Sequence, residues 1–291
     1  MSESTQVGVI GLGLMGTALS ERLLELGFQP VVWNRSPQKA APLLQSGAVW
    51  SDNPLQDCER VIVSLFNSDA VTEVLTKMLP DATRCRTIID TTTCAPEMAE
   101  LTERHLHSLK IGYLEAPISG SSVQTRNGEA LVISAGDSEQ ERQCEDLWPV
   151  LGAKRIHAGR VGSASRMKLV SNLVLGLNRA ALAEGLGLAE SLGLDLPATL
   201  TMLQQSAAAS TVMHTKGNRM IEGDFTPQAR LSQHRKDVGI LLELAKQYSI
   251  NLPLSICHDE LLAQAETLGY GNSDNSAIAA VYRSFSSAAK P

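Results

Sequence analysis

Short apolar runs and amphipathic segments alternate along the first half of the chain. Gln6–Ile10 is a five-residue apolar run, and it is followed by a segment to Leu26 that carries leucines at helical spacing. The same alternation continues to residue 157. It predicts strands near 30–33, 60–65, 87–90, 112–115, 129–135 and 154–157, with helices near 69–79, from Pro96, and from a Ser138 cap to about Trp148. This pattern is typical of a doubly wound, mainly parallel α/β sheet.

The pattern changes near Gly162. From about Leu188 onward no segment has strand character, and helical spacing predicts helices near 197–205, 211–220, 229–248 and 254–268, with a last one from Ser276. We therefore predict two domains, residues 1–162 with the sheet and residues 163–291 with a long interdomain helix followed by an all-α domain.

The motif Gly11-Leu-Gly13-Leu-Met-Gly16 stands between the first strand and the first helix. In that context Gly11 permits a tight turn, Gly13 lets a pyrophosphate approach the backbone, and Gly16 lets helix and strand pack closely. The unpaired N–H groups at the helix start then bind the phosphates. The sequence therefore predicts a Rossmann-type dinucleotide site whose contacts are Gly11, Leu12, Gly13, Leu14, Met15 and Gly16.

The loop after the second strand bears on cofactor choice. An NAD site would carry Asp or Glu there, yet no acidic residue occurs between Gly27 and Ser51. Arg35 can instead pair with a 2′-phosphate, so we predict NADP; the alternative is a solvated loop charge. The remaining candidate cofactor contacts flank Arg35 or end later strands, and they are Asn34, Ser36, Leu65, Phe66 and Thr93.

The long helix contains a lysine in apolar surroundings. Between Met167 and Leu177 the only full charge is Lys168, and Asn172 lies four residues on, on the same face. Apolar residues cover most of the remaining circumference, so we expect a helix that is buried nearly all round, with Ser163 or Ser165 as its cap. A dehydrated lysine can give and take a proton near neutral pH. The alternative is a lysine that snorkels to the surface beside a packing asparagine.

Ser119-Gly120-Ser121 follows the strand near 112–115. Small residues around a glycine allow backbone N–H groups to converge, so this segment predicts an anion nest suited to a substrate carboxylate.

Composition narrows the classes of function. The chain has 291 residues, 43% hydrophobic and 19% charged, with a net charge of -6 that offers no general attraction to nucleic acid or anionic membranes. No apolar run approaches a bilayer span, and the N-terminus lacks the basic start of a targeting peptide. Five scattered cysteines favour a reduced, cytoplasmic compartment, and neither they nor the six histidines form a metal-ligand spacing.

These motifs together resemble the β-hydroxyacid dehydrogenase family, and the likeness covers nearly the whole chain. Its motifs are the glycine turn, Glu115-Ala-Pro-Ile-Ser-Gly-Ser121, Gly162–Asn172 and Lys236-Asp237. The resemblance implies that Lys168 is the acid/base and Asn172 orients it or the substrate. It also implies that the Ser119–Ser121 segment binds the substrate carboxylate, that Thr93 contacts cofactor or substrate, and that Lys236 closes over both from the second domain.

The resemblance further implies a homodimer or homotetramer formed through the C-terminal helical domain. The Asn34-Arg35-Ser36 loop and the Ser-Gly-Ser form are most similar to the NADPH-dependent glyoxylate/succinic-semialdehyde reductase branch. Ala229 stands where that branch has Phe, and Gln124 and Thr125 replace a Gly-Ala pair, so the substrate stays open. Two alternatives remain: an imine-reductase-like NADPH enzyme, against which Lys168 counts, and a non-catalytic, cofactor-binding interaction protein.

Overall fold

The computed structural model describes residues 5–288 and, for side chains, residues 5–284. The expectation about the N-terminus rests mostly on residues 1–4, which lie outside the described range. The chain divides into two compact units between Lys168 and Leu169.

The first unit is built on one sheet, which has nine strands within the described residues. The strands are β1 (Gln6–Ile10), β2 (Gln29–Trp33), β3 (Val49–Trp50), β4 (Arg60–Val63), β5 (Thr87–Asp90), β6 (Gly112–Glu115), β7 (Ile118–Ser119), β8 (Leu131–Gly136) and β9 (Lys154–His157). Their order is β3-β2-β1-β4-β5-β6-β8-β7, with β9 paired to β8. The pairs from β3 to β6 are parallel, and β6 and β7 meet β8 in antiparallel fashion.

Helices cover both faces of this sheet because its strands are apolar on both sides. They are α1 (Leu14–Glu25), α2 (Ala41–Gln45), α3 (Pro54–Asp57), α4 (Ser68–Met78), α5 (Pro96–Ser108), α6 (Ser122–Arg126), α7 (Ser138–Gln143) and α8 (Trp148–Leu151). Neighbouring residues of β1 point to opposite faces. Val9 packs in the cluster under α1, α2 and α8, and Ile10 packs in the cluster under α3, α4 and α5.

The second unit consists of helices. The long helix α9 (Ser163–Ser191) begins in the first unit and is followed by α10 (Leu196–Gln205), α11 (Thr211–Glu222), α12 (Leu231–Gln247), α13 (Pro253–Thr267), a 3₁₀ turn (Asn275–Ile278) and α14 (Ala279–Ala288). Their apolar faces form a separate core that includes Leu182, Leu200 and Val238. The predicted fold class, a Rossmann-like α/β domain followed by an all-α domain, is confirmed.

Two local predictions are wrong. Ser138 does not cap the helix after β8; Asp137 accepts hydrogen bonds from Glu139 and Gln140, and the helix ends at Gln143. The all-round burial predicted for α9 also fails, since Val170 is 61% exposed and Val174 is 52% exposed. In a single chain α9 therefore has one buried face and one apolar face that remains open.

The turn between β1 and α1 forces two backbone segments together. Gly11 has φ +100°, and a Cβ there would lie 2.3 Å from the carbonyl oxygen of Ser64. A Cβ on Gly16 would lie 1.8 Å from the carbonyl oxygen of Gly11. Gly13, the N-cap of α1, differs, because a Cβ there would meet nothing within 4 Å. Two of the three glycines therefore serve the fold, and Gly13 leaves open space beside the helix start.

This difference predicts opposite behaviour for two alanine variants. Gly16→Ala must displace backbone, so we expect it to lower the free energy of unfolding by about 2 kcal/mol or more. Gly13→Ala should unfold within about 1 kcal/mol of the unaltered protein, yet bind a dinucleotide more weakly because its methyl group fills the open space. Urea unfolding and NADPH titration of both variants test this. Equal loss of stability in the two would contradict the assignment of Gly13 to a ligand.

Candidate functional site

The dinucleotide turn is tied to the loop that follows β2. The side-chain oxygen of Asn34 accepts a hydrogen bond from the backbone N–H of Leu12 at 2.9 Å, and its amide donates to the carbonyl oxygen of Ser36 at 3.0 Å. Asn34 thereby holds the loop against the turn, and Arg35 between them is exposed. The structure thus places Arg35 at the carboxyl end of β2, beside the glycine turn.

The ends of β4 and β5 continue the same edge, since these strands follow β1 in the sheet. The backbone N–H of Leu65 donates to the Thr92 hydroxyl at 3.0 Å, which joins the two loops. Phe66 is 50% exposed, and Thr93 is partly buried. The strand order reverses between β2 and β4 around β1, and such a reversal is where open α/β sheets bind their ligands. The predicted cofactor contacts of the first unit therefore share one edge.

Two buried carboxylates lie side by side on β5 and β6, where Asp90 pairs in register with Glu115. Asp90 accepts hydrogen bonds from the Thr92 N–H at 2.8 Å and the Tyr113 hydroxyl at 3.0 Å. Burial, followed by the charge of Asp90, raises the pKa of Tyr113 well above its ordinary value, so the phenol stays a donor. Asp90 therefore has two donors of its own, Thr92 and Tyr113.

Glu115 receives the start of α9. One carboxylate oxygen accepts from the Gly162 N–H at 2.6 Å, and the other accepts from the N–H of Ser165 at 3.3 Å and from its hydroxyl. Burial raises the pKa of Glu115, and the three donors oppose that shift. A hydrogen bond to a charged group contributes about 1.5–3 kcal/mol, and a negative charge suits the positive end of a helix. Glu115, rather than Ser163 or Ser165, is thus the acceptor that caps α9.

Lys168 and Asn172 lie one turn apart on α9, and each is 7% exposed. This burial argues against a snorkelling lysine. Within the second unit, the Asn172 amide donates to Asp237 Oδ2 at 2.9 Å, and Lys236 Nζ lies 2.8 Å from Asp237 Oδ1. The structure therefore links Lys236 to Asn172 through Asp237, a residue to which the sequence analysis gave no role of its own.

The Ser119–Ser121 segment joins β7 to α6. Ser121 is the N-cap of α6 in a reciprocal pair: its hydroxyl accepts from the Gln124 N–H at 3.2 Å, and its own N–H donates to the Gln124 side chain at 2.9 Å. Gly120 is closely packed, since a Cβ there would lie 3.0 Å from the Ala130 Cβ. Gln124 thus occupies one N–H of the predicted nest, while the Ser121 hydroxyl keeps its own hydrogen for donation.

Ala229 and Thr125, which also depart from the family pattern, both make contacts in the structure. Ala229 donates its N–H to Asp274 at 3.2 Å, and Lys216 donates to the same carboxylate at 2.8 Å. The pKa of Asp274 falls to about 2 because Lys216 and the surrounding donors outweigh burial. Thr125 is fully buried, and its hydroxyl lies 4.0 Å from the Met15 sulfur. Ala229 and Thr125 are therefore held by the fold.

Two histidines of the second unit lie together in the fold although they are far apart in the sequence. His234 and His258 have no partners nearby in sequence, yet their Nε2 atoms lie 3.0 Å apart in the fold. Burial, with a smaller contribution from the Arg179 charge, lowers the pKa of His258 to about 4. Gly176 on α9 makes room, because a Cβ there would lie 2.7 Å from His234 Nε2. We take the pair as a packing feature of α9, α12 and α13.

Between residues 5 and 288, no cluster of three or more His, Cys, Asp or Glu side chains has the arrangement of a metal site. Over the same stretch, every helix is too short or too polar to cross a bilayer.

Two sequence profiles match this chain. One, described as the NAD-binding domain of 6-phosphogluconate dehydrogenase, matches residues 6–159. The other, described as the NAD-binding of NADP-dependent 3-hydroxyisobutyrate dehydrogenase, matches residues 162–282.

Curated relatives match over most of the chain. Glyoxylate/succinic semialdehyde reductase 1 of Arabidopsis thaliana is 29% identical over 279 residues, or 94% of this chain and 96% of that protein. L-threonate dehydrogenase of Cupriavidus necator is 28% identical over 290 residues, or 96% of each. Cytokine-like nuclear factor N-PAC of Anopheles gambiae is 29% identical over 277 residues, covering 93% of this chain and 49% of that protein.

Solved structures agree in fold. The 3-hydroxyisobutyrate dehydrogenase of Salmonella typhimurium has a TM-score of 0.86 at 24% identity, covering 95% of this chain and 99% of that one. Psf3 in complex with NADP+ and 2-OPP has a TM-score of 0.86 at 26% identity, covering 94% and 99%. The imine reductase of Pseudomonas sp. has a TM-score of 0.66 at 22% identity, covering 96% and 99%. Taken with the glycine turn and the profiles, these matches show that the chain belongs to the 3-hydroxyisobutyrate dehydrogenase-like family of NAD(P)-dependent oxidoreductases.

Proposed function

We propose that this protein is an NADPH-dependent reductase of a small aldehyde-acid, with Lys168 as its acid/base. The observation that carries the proposal is the burial of Lys168 on the second turn of a helix whose start is held at the carboxyl edge of the sheet. Lysine is among the residue types most rarely found buried. The family relationship supplies the oxidoreductase class, and this geometry supports the finer assignment.

NADP is the proposed cofactor because an exposed arginine lies beside the glycine turn. The open space at Gly13 accommodates a pyrophosphate, and the exposed Arg35, held by the Asn34 tie, suits a 2′-phosphate. Bound NADPH would supply a hydride for a carbonyl carbon.

The remaining chemistry falls to the protein's side chains. Hydride addition gives an alkoxide, and the Lys168 ammonium donates the proton that completes the alcohol; the amine is then reprotonated from solvent. Asn172, one turn along α9, orients Lys168 or the substrate and is itself held by Asp237. Ser119 and Ser121 bind the substrate carboxylate, which turns the carbonyl toward the hydride donor. The relatives are named for different acids, and the substrate proposed for this chain is a class, the small aldehyde-acids.

Subunit pairing and compartment are also proposals. The apolar face of α9 contains Met167, Val170, Val174 and Leu188, between 41% and 61% exposed, and a second copy would cover it in a homodimer or homotetramer. A cytoplasmic location is supported by the five cysteines, none of which forms a disulfide within the described residues.

A cofactor-binding protein without catalysis is the second candidate. It is favoured by the match to N-PAC, which is named as a nuclear factor rather than as an enzyme. Under that hypothesis Lys168 contributes only to packing.

Cofactor preference tests the role of Arg35. We expect NADPH to be preferred over NADH, and Arg35→Ala to remove most of that preference, because a charge-assisted pair contributes about 1.5–3 kcal/mol, or roughly ten- to a hundredfold in binding. The measurement is kcat/KM with each cofactor, with Arg86→Ala as a control for loss of an exposed cation. Equal values for NADH and NADPH in the unaltered protein would exclude the proposal.

Comparing charged and neutral substrates tests the anion nest predicted at Ser119–Ser121. Glyoxylate or succinic semialdehyde should outperform neutral aldehydes of matched length, and short carboxylates should inhibit competitively. Ser119→Ala should raise KM for the aldehyde-acid and leave KM for the neutral aldehyde unchanged. Only the aldehyde-acid has a carboxylate that loses its contact with Ser119. Faster turnover of neutral aldehydes or cyclic imines would assign the protein to another substrate class.

Substitution of Lys168 separates the enzyme from the binding protein. A positioned proton donor contributes roughly 10²–10⁴-fold, so Lys168→Ala should lower kcat by about that factor with little change in NADPH affinity. Lys168→Arg should be nearly as damaging, because a guanidinium does not release its proton near neutral pH. Retention of most turnover by Lys168→Ala would remove this residue from the mechanism and favour the second candidate.

A further inference from the structure

The first turns of α9 are fixed at three points within the first unit. Glu115 accepts the N–H groups of Gly162 and Ser165 as well as the Ser165 hydroxyl. Arg166 donates to Glu100 of α5 at 3.0 Å. Gly162 has φ +89°, a backbone conformation that favours glycine, and its Cα lies beside the Glu100 side chain where the chain enters the helix. These contacts set both where α9 begins and how it is rotated about its axis.

The rotation of α9 about its axis sets the direction of Lys168, because Lys168 follows Ser165 by three residues. Residues three apart lie on the same face of a helix, so the face that donates to Glu115 also carries Lys168 and, another turn on, Asn172. Glu115 ends β6, so its position is fixed by the strand and not by a loop. It is 2% exposed, and its donors are internal, so solvent does not replace them easily.

We infer that Glu115 is a positioning residue for Lys168: by receiving the first turn of α9 at the end of β6, its carboxylate sets the helix phase that places the lysine for proton transfer. The inference rests on the acid/base role proposed for Lys168. Glu115 acts through the helix and takes no proton from the substrate in this scheme. An ordinary helix cap would contribute stability alone, whereas a positioning residue contributes to kcat.

The test uses the full chain with Glu115→Gln, Ser165→Ala and the matched control Glu141→Gln. Glu141 is another buried carboxylate of the first unit, 6% exposed, whose side chain contacts His157 on β9 instead of α9. Glutamine keeps the length of Glu115 but loses the charge and turns an amide toward the donors. Ser165→Ala removes one donor and leaves a good helix former, so it serves even if Glu115→Gln folds poorly.

We expect Glu115→Gln to lower kcat about ten- to a hundredfold, since misplacement of a catalytic group by about 1 Å can cost a hundredfold. KM for NADPH should stay within about twofold, and Ser165→Ala should give a smaller loss of kcat in the same direction. Amide hydrogen exchange at residues 163–168 should accelerate in both variants. Glu141→Gln should leave kcat and these amides unchanged.

A double-mutant cycle distinguishes positioning from general destabilisation. If Glu115 acts through Lys168, adding Glu115→Gln to Lys168→Ala should produce no further loss of kcat, whereas independent effects multiply. Multiplicative losses, or normal kcat in folded Glu115→Gln and Ser165→Ala, would overturn this inference alone. Full activity of Lys168→Ala would instead overturn the proposed function, whatever the Glu115 variants do.

Discussion

A buried carboxylate at the end of β6 receives the N-terminus of the longest helix, and the candidate chemistry of the first unit depends on that contact. Glu115 has three donors from Gly162 and Ser165, which offset the cost of burying its charge. The helix that it anchors carries Lys168 one turn later. Because the acceptor lies on a central strand and the donors are helix N–H groups, the lysine's position follows from sheet geometry and not from a loop.

The cofactor edge depends on a second constraint, the close approach of backbone segments around the glycine turn. A Cβ on Gly16 would collide with the Gly11 carbonyl oxygen, and a Cβ on Gly11 would collide with the Ser64 carbonyl oxygen, so neither position admits a side chain. Asn34 ties the same turn to the loop that carries Arg35. The residues proposed to bind the phosphates and to select the cofactor therefore lie on one turn and the loop tied to it. Of the three glycines of this turn, only Gly13 has open space beside it, and this is the observation behind its proposed contact with a ligand.

Sequence periodicity predicted most of the fold because both kinds of element bury apolar residues at a regular spacing. The strands β1, β2, β4, β5 and β6, the helical second half and the glycine turn all follow from local pattern. Elements too short to show a repeating pattern escaped it. β3 and β7 span two residues each, and α6 spans five and begins at Ser121, which forms a reciprocal cap with Gln124. The prediction that α9 is buried on all sides was wrong. The spacing of apolar residues shows which face of a helix is hydrophobic, but it does not show whether the same chain covers that face.

The sequence by itself determined which residue types were available for chemistry: a glycine turn, a cation without a competing carboxylate, and a lysine in an apolar helix. Only the tertiary structure decided their partners. Glu115 meets Ser165 across 50 residues, Asn172 meets Asp237 across 65, and His234 meets His258 across 24. Such pairs leave no local signal, because hydrogen bonds between distant segments depend on strand order and helix packing rather than on the spacing of neighbours along the chain.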